Sequence, residues 1–250
     1  MFHKINLVFL LFIVTISCKK DPPMTLISES FSEEFQNECK GDDCAKVTID
    51  YIKVVGKKEV VDKINFTIGS SIIYFLNSDF DKKIRATTVS EAANTFLKEY
   101  EADKQNFPDL SPYEAEISVT NSYSSSDITS VRTSFYSYTG GAHGNTTIAF
   151  LNFDPTNGAI LTKNSLLKNK KEFTDFAEKI FRKEKNIPKN KSINSTGFWF
   201  ENDIFILPES IGFSKTHLIL ICNQYEIASY ADGPIEIQIP REEAKPYLNF

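Results

Sequence analysis

The sequence predicts an α+β protein of mainly antiparallel sheets with a few amphipathic helices, divided into two subdomains. Three observations carry that expectation. Several short runs alternate apolar and polar residues with period two, as half-buried strands require, whereas three longer runs repeat every three to four residues, as amphipathic helices require. Turn signals separate the strands closely, so hairpins outnumber the long crossovers of a doubly wound sheet. The period changes near Phe107-Pro108 and Ser111-Pro112, which places the boundary between an amino-terminal unit, 38–110, and a carboxy-terminal unit, 111–250.

Residues 1–17 read as a signal peptide: Lys4 supplies a basic start and Ile5–Ile16 an apolar run too short to span a membrane. Ser17-Cys18 resembles a bacterial lipoprotein junction, in which Cys18 becomes the lipidated first residue. Thr15 departs from the leucine-like residue usual three before that cysteine. An ordinary secretory signal with Cys18 incidental is the alternative. Residues 18–37, rich in Lys, Asp, Pro, Ser and Glu, read as a tether. Cys39 and Cys44 flank Gly41-Asp42-Asp43, a loop that a disulfide closes in an oxidising compartment. A metal site made by both thiols and the two aspartates is the rival reading, but no further Cys/His pair has ligand spacing. Cys222 ends an apolar run and reads as a buried free thiol.

Val47–Val55 is β-branched and reads as a strand. Ile64, Ile68, Ile72 and Leu76 form a helical stripe, and Thr88-Val89-Ser90-Glu91 is a capping box ahead of Ala92, Phe96 and Tyr100. Ala115, Ile117 and Val119 alternate with polar residues, as do Val131, Thr133 and Phe135 on the return strand. Thr146–Phe153 is apolar on both faces and reads as a central strand. Pro155-Thr156-Asn157-Gly158 is a turn, and Asn169 with Glu172 opens a helix striped by Phe173, Phe176, Ala177, Ile180 and Phe181. Short strands are expected at Phe205–Leu207, Leu218–Cys222 and Ile235–Ile239, then a closing helix near Arg241–Leu248.

The formal charge is −5, and without residues 1–17 the balance is 27 basic against 33 acidic residues. No basic cluster is dense enough to reverse that sign, so nucleic acid is not an expected partner. No cofactor and no metal are expected, and no catalytic residue is assigned.

Between the return strand and Thr146–Phe153 lies Tyr138-Thr-Gly-Gly-Ala-His-Gly-Asn145. Three glycines in five residues suggest an unusual backbone shape, with φ > 0 expected at Gly140 or Gly141 and Ile148 and Phe150 expected to share the core face of Val131, Thr133 and Phe135. His143 is the one side chain of the loop able to move protons; a structural role, ligand binding and general-base chemistry all remain open for it. His217 reads as an edge position. Tyr136, Tyr138, Tyr225, Tyr230 and Trp199 read either as core or as an aromatic platform for sugar rings. The candidate ligand-binding residues are Tyr136, Tyr138, Gly140, Gly141, His143, Gly144, Asn145, Tyr225 and Tyr230. Asn65, Asn145 and Asn194 head Asn-X-Ser/Thr triplets that are expected to stay unmodified.

The glycine–histidine motif, followed by Asn152-Phe153-Asp154 and Asn157-Gly158, resembles a domain shared by two bacterial envelope proteins. These are the lysozyme-sensing anti-sigma factor V and peptidoglycan deacetylase C. Tyr225-Glu-Ile-Ala-Ser-Tyr-Ala-Asp-Gly233 and Ile237-Gln-Ile-Pro240 resemble that domain's closing segment, with Ser229 where proline is more frequent. Cys44, Ile64-Asn65 and Ile68 resemble its companion amino-terminal domain more loosely, and the whole resemblance covers about residues 44–248. The deacetylase catalytic domain is absent from it, so that activity does not carry over. What the resemblance implies is a lipid-anchored extracytoplasmic binding or sensing module, membrane-attached, whose partner is cell-wall glycan or a lysozyme-type protein. A cell-wall hydrolase using His143 and a structural assembly lipoprotein are the alternatives.

Overall fold

The computed structural model describes residues 27–38, 44–77 and 86–250. The signal peptide, Cys18 and Cys39 lie outside the described residues. The chain opens with β1 (Ile27–Gln36) and β2 (Lys46–Val55), passes through α1 (Lys58–Leu76) and α2 (Val89–Asn106), and returns as β3 (Glu114–Ser124), β4 (Thr129–Tyr138) and β5 (Asn145–Phe153). These five strands form one sheet in chain order. Neighbours are antiparallel except β2 and β3, which run parallel from Lys46 opposite Glu114 to Asp50 opposite Ser118. Parallel neighbours need a crossover, and the two helices supply it.

β1 occupies residues that composition assigns to the tether. Among its described side chains Phe31 and Phe35 pack on the core, while Ser32, Glu34 and Gln36 face water. An edge strand needs only one apolar face, and a serine- and glutamate-rich second face imitates a linker.

One face of the five-stranded sheet carries the first core. Val47, Ile49, Ala115, Ile117, Val119, Val131 and Phe135 meet Ile64, Ile68 and Ile72 of α1 and Ala92, Phe96 and Tyr100 of α2. Two devices fix the helices. Thr88 accepts from the Glu91 amide at 3.2 Å while Glu91 accepts from the Thr88 amide at 3.3 Å, the expected capping box. Asn65 ties α1 to β2, accepting from the Val54 amide at 2.8 Å and donating to its carbonyl at 2.9 Å.

The second core is built on α3 (Lys163–Leu166), α4 (Lys170–Glu184), β6 (Ser210–Phe213), β7 (His217–Cys222), β8 (Ile235–Pro240) and α5 (Arg241–Ala244). β6, β7 and β8 make a three-stranded antiparallel sheet. Phe173, Ala177 and Phe181 of α4 pack over Leu218, Leu220, Ile237 and Ile239. Phe205–Leu207 is not a strand: Phe205 and Leu207 are buried and Ile204 and Ile206 exposed, but among the described residues no strand pairs with them. The strand begins three residues later, at Ser210. Residue 110 falls inside the first core, where Leu110 packs, and β3 joins the same sheet as β2. The two cores divide after β5 instead, with Tyr123 and Ile128 reaching across.

β5 is a sheet edge rather than a central strand. Its two apolar faces meet different layers. Phe153 and Leu151 turn to the first core, whereas Phe150 and Ile148 pack on Ile219 and Ile221 of the second sheet. Ile148 and Phe150 therefore lie on the face of Ser134 and Arg132, their cross-strand partners, and not on that of Val131 and Phe135. Gly212 of β6 makes this approach possible, because a Cβ there would lie inside the Phe150 ring.

Candidate functional site: the ring ledge where the two sheets meet

β4 and β5 are antiparallel neighbours, and the glycine–histidine loop joins them at one end of the sheet. Gly140 has φ 83 and meets the positive-φ expectation, whereas Gly141 is not among the positive-φ residues. A Cβ on Gly140 would strike the side chain of Leu110, at the margin of the first core; one on Gly141 would meet only the His143 carbonyl, 3.9 Å away. Gly144 is the tightest position of the loop. It is buried, and a Cβ there would sit within the Tyr136 ring.

The Gly144 carbonyl is the focus of the site. The Tyr230 hydroxyl donates to it at 2.8 Å, and His143 Nδ1 lies 3.0 Å from it. A carbonyl only accepts, so Nδ1 is the donor in this contact. The exposed His143 ring stacks on Tyr230 with centroids 3.7 Å apart and planes at 24°, and Tyr225 stands 5.9 Å beyond Tyr230. The partner within reach of the histidine is a backbone carbonyl rather than a carboxylate, which is the geometry of a positioning contact.

Asn223 and Gln224, singled out by no sequence argument, hold the second sheet's loop against β5. The Ile148 amide donates to Asn223 Oδ1 at 2.7 Å and Asn223 Nδ2 donates to the Ile148 carbonyl at 3.0 Å. One side-chain amide thereby satisfies both groups of an edge residue, as another strand would. The Thr146 amide donates to Gln224 Oε1 at 3.3 Å, and Gln224 Nε2 donates to the Tyr230 carbonyl at 3.4 Å. Further along, Asn152 Nδ2 donates to the Ile211 carbonyl at 2.6 Å, the Phe213 amide donates to Ser130 Oγ at 3.1 Å, and Arg132 pairs with Glu236 at 3.4 Å.

Tyr136 and Tyr138 stand on the β4 face opposite the first core, across from Glu116 and Glu114 of β3. Partial burial, then the charge of Glu114, the Tyr230 phenol and the charge of Glu116, raise the Tyr136 phenol above its ordinary value. The loop thus brings Tyr136, His143, Gly144, Tyr225 and Tyr230 to one place. Tyr138 adjoins them along β4, Asn145 is exposed at the start of β5, and Gly140 and Gly141 shape the loop. His217 lies apart, at the head of β7, with Nδ1 2.8 Å from Thr216 Oγ1. No cluster of metal-ligating side chains occurs among the described residues.

Two domain families match the chain. Residues 38–146 match the one described as Deacetylase PdaC, and residues 159–242 match the protein of unknown function DUF3298. The chain thus carries a PdaC-like segment followed by a segment of the DUF3298 type. A DUF3298 family member from Bacteroides fragilis has a crystal structure that superposes with a TM-score of 0.73 at 22% identity, over 92% of this chain and 96% of that one. A second, from Pseudomonas aeruginosa, gives 0.63 at 19% identity, over 92% and 95%. At these identities the likeness shows the shared fold. No curated protein matches the chain.

The DUF3298 segment supplies Tyr225 and Tyr230, and the PdaC-like segment supplies Tyr136, His143 and Gly144, so the ledge is composite. The Asn152–Gly158 motif between the two segments is structural. Asp154 is pushed upward by burial, but bonds from Thr156 and Asn157 outweigh this and hold its carboxyl below the ordinary value. Gly158, at φ 71, lies so close to the Val60 carbonyl of α1 that a side chain is excluded. Asn65 and Asn194 use their amides to hold the backbones of Val54 and Phe200, which explains both triplets without modification.

Proposed function

We propose that the chain is a lipid-anchored extracytoplasmic binding or sensing module of the bacterial envelope, recognising peptidoglycan or a lysozyme-type protein. The observation that carries this reading is the composite ledge: exposed His143 and Tyr225 beside Tyr230, on a joint clamped from both sheets. A rigid scaffold presenting aromatic rings at loop ends is the arrangement recognition uses. The anchor is Cys18, after removal of residues 1–17. Because β1 begins at Ile27, only eight residues separate it from that cysteine, and at full extension the stretch from Cys18 to Ile27 spans about 30 Å. The module is then held close to the membrane. A Cys39–Cys44 disulfide belongs to the same exported state.

The assembly alternative draws on a different surface. Phe66 and Tyr74 of α1 are 76% and 58% exposed and border an apolar groove of about 590 Å³ that reaches Val89. Sedimentation of the purified protein distinguishes the two: a monomer that binds sacculi or a lysozyme-type protein supports the recognition reading, whereas a stable oligomer lost in Phe66→Ser supports assembly. For the anchor, Cys18→Ser is expected to move the protein from the membrane fraction to the soluble one.

A further inference from the structure

We propose that residues 204–207 form a docking edge for an extended basic peptide, which adds a strand to the second core where the chain itself supplies none. This edge is separate from the ledge and does not depend on the membrane anchor. The stretch keeps the period of a strand: Phe205 and Leu207 are buried, whereas Ile204 and Ile206 are 61% and 58% exposed. Phe205 is fixed against Phe181 and Phe200, with ring centroids 5.5 and 5.4 Å away. Ile204 is extended, at φ −109 and ψ 121, yet among the described residues no strand lies beside it. In an extended chain the backbone groups of alternate residues point to the same edge. On the edge of Phe205 and Leu207, the Leu207 carbonyl accepts from Lys163 Nζ at 3.2 Å. On the other edge the Ile204 amide donates to the Glu201 carbonyl at 3.1 Å. Among the described residues nothing bonds the Ile204 carbonyl, or the amide and carbonyl of Ile206. These are the groups through which an antiparallel neighbour adds to a strand.

The stretch is held at both ends. It leaves a turn in which Asn202 and Asp203 are both left-handed, at φ 54 and 58, and Ser192 Oγ donates to Asp203 Oδ1 at 2.6 Å. A free edge with exposed isoleucines invites a second strand, and charge decides whose. Glu201, Asp203 and Glu209 flank the stretch, and among the described residues only Glu209 has a cationic partner, Lys163. Two copies joined by this edge would set Ile206 against Ile206, or Ile204 against Ile206. The first register brings Asp203 of one copy to Glu209 of the other, and the second brings Glu201 to Glu209. Opposed like charges destabilise a strand pair. A peptide with lysine or arginine at those places is favoured by the same carboxylates. The occupant is therefore a peptide with β-branched apolar residues at alternate positions and a basic residue towards each end.

The test is NMR titration of the purified protein with a heptapeptide that has lysine at both ends, valine at its second, fourth and sixth positions and threonine between. The same peptide ended by glutamate is the control. Wild type is expected to bind the lysine-ended peptide saturably, with shifts centred on residues 204–207 and slower hydrogen exchange at the Ile206 amide. The glutamate-ended peptide should bind about tenfold more weakly or worse. Ile206→Ser and Ile204→Ser should each weaken binding by about fivefold or more while Tm changes by no more than about 1 °C, because both side chains stand in solvent. No binding of the lysine-ended peptide, equal binding of the two peptides, shifts elsewhere, unchanged exchange at Ile206, or full affinity in both variants would each overturn the proposal. So would a dimer that forms without peptide and is lost in Ile206→Ser, since the occupant would then be a second copy.

Discussion

Replacing Gly144 with alanine places a methyl group inside the volume of the Tyr136 ring, an overlap that backbone relaxation of a few tenths of an ångström does not remove. Either the Tyr136 ring swings out or the loop lifts. Where the loop lifts, the Gly144 carbonyl moves away from the Tyr230 hydroxyl and from His143, which it now meets at 2.8 and 3.0 Å; where only the ring swings out, the cost is that of repacking alone. Loss of that hydroxyl bond costs about 1 kcal/mol, and loss of the His143–Tyr230 stack about as much again. Forced repacking of a ring adds about 1–2 kcal/mol. Where the loop lifts, these together give about 3 kcal/mol, which for a domain of this size is a fall in Tm of about 6–12 °C. The assay is thermal and urea unfolding of the purified protein, with Gly141→Ala as control, where the added methyl meets nothing closer than 3.9 Å. Combining Gly144→Ala with Tyr136→Ser should recover part of the loss, since the second change vacates the space. Equal stability of Gly144→Ala and wild type, or an equal loss in Gly141→Ala, would refute the packing argument.

Asn223→Ala should destabilise by about 2–3 kcal/mol, because both backbone groups of Ile148 lose their partner at a half-buried edge, and hydrogen exchange at the Ile148 amide should accelerate with it. Burial, and then the bond to Glu33 and its charge, raise the Tyr51 phenol from 10.0 to about 12. A folded value above the unfolded one favours the neutral phenol in the native state, so this contribution is complete below pH 10 and is lost as the pH rises through 12. Tyr51→Phe should flatten that part of the stability profile in urea unfolding. Mass spectrometry of the exported, unreduced protein should find Cys39 joined to Cys44. Replacing both with serine should cost at most about 2–3 kcal/mol, because the closed loop is short.

The residues that carried the most structure in sequence were those whose local chemistry and burial agree. Thr88 and Glu91 could be read as a helix start because both partners of the box lie within one turn. The Ile64–Leu76 stripe survives Gly69, since one face alone packs on the sheet. β1 was illegible because Phe31 and Phe35 are the apolar signal of a strand whose other face is serine and glutamate. β6 escaped for the opposite reason: Ser-Ile-Gly-Phe carries a glycine that reads as a breaker, and only the Phe150 ring from another layer explains it. The faces of Ile148 and Phe150 were undetermined in principle. Period two says that two faces exist, not which layer covers each. At the site, the loop's glycines announced an unusual backbone, but Gly144 mattered through a ring eight residues earlier in the chain. Asn223 and Gln224 carry no sequence signal at all, because their bonds to Ile148 and Thr146 are made across more than 70 positions.

The central claim, that the joint between the two sheets is a recognition surface, is tested most directly by comparing wild type with His143→Ala in binding to sacculi and to a lysozyme-type protein. Circular dichroism melting is recorded on the same samples. The account predicts weaker binding of at least one of the two in His143→Ala, with Tm lowered by no more than about 4 °C, the share of one exposed ring stack. A variant that melts far earlier while its folded fraction binds at full affinity would contradict it, and would leave His143 a purely structural contact.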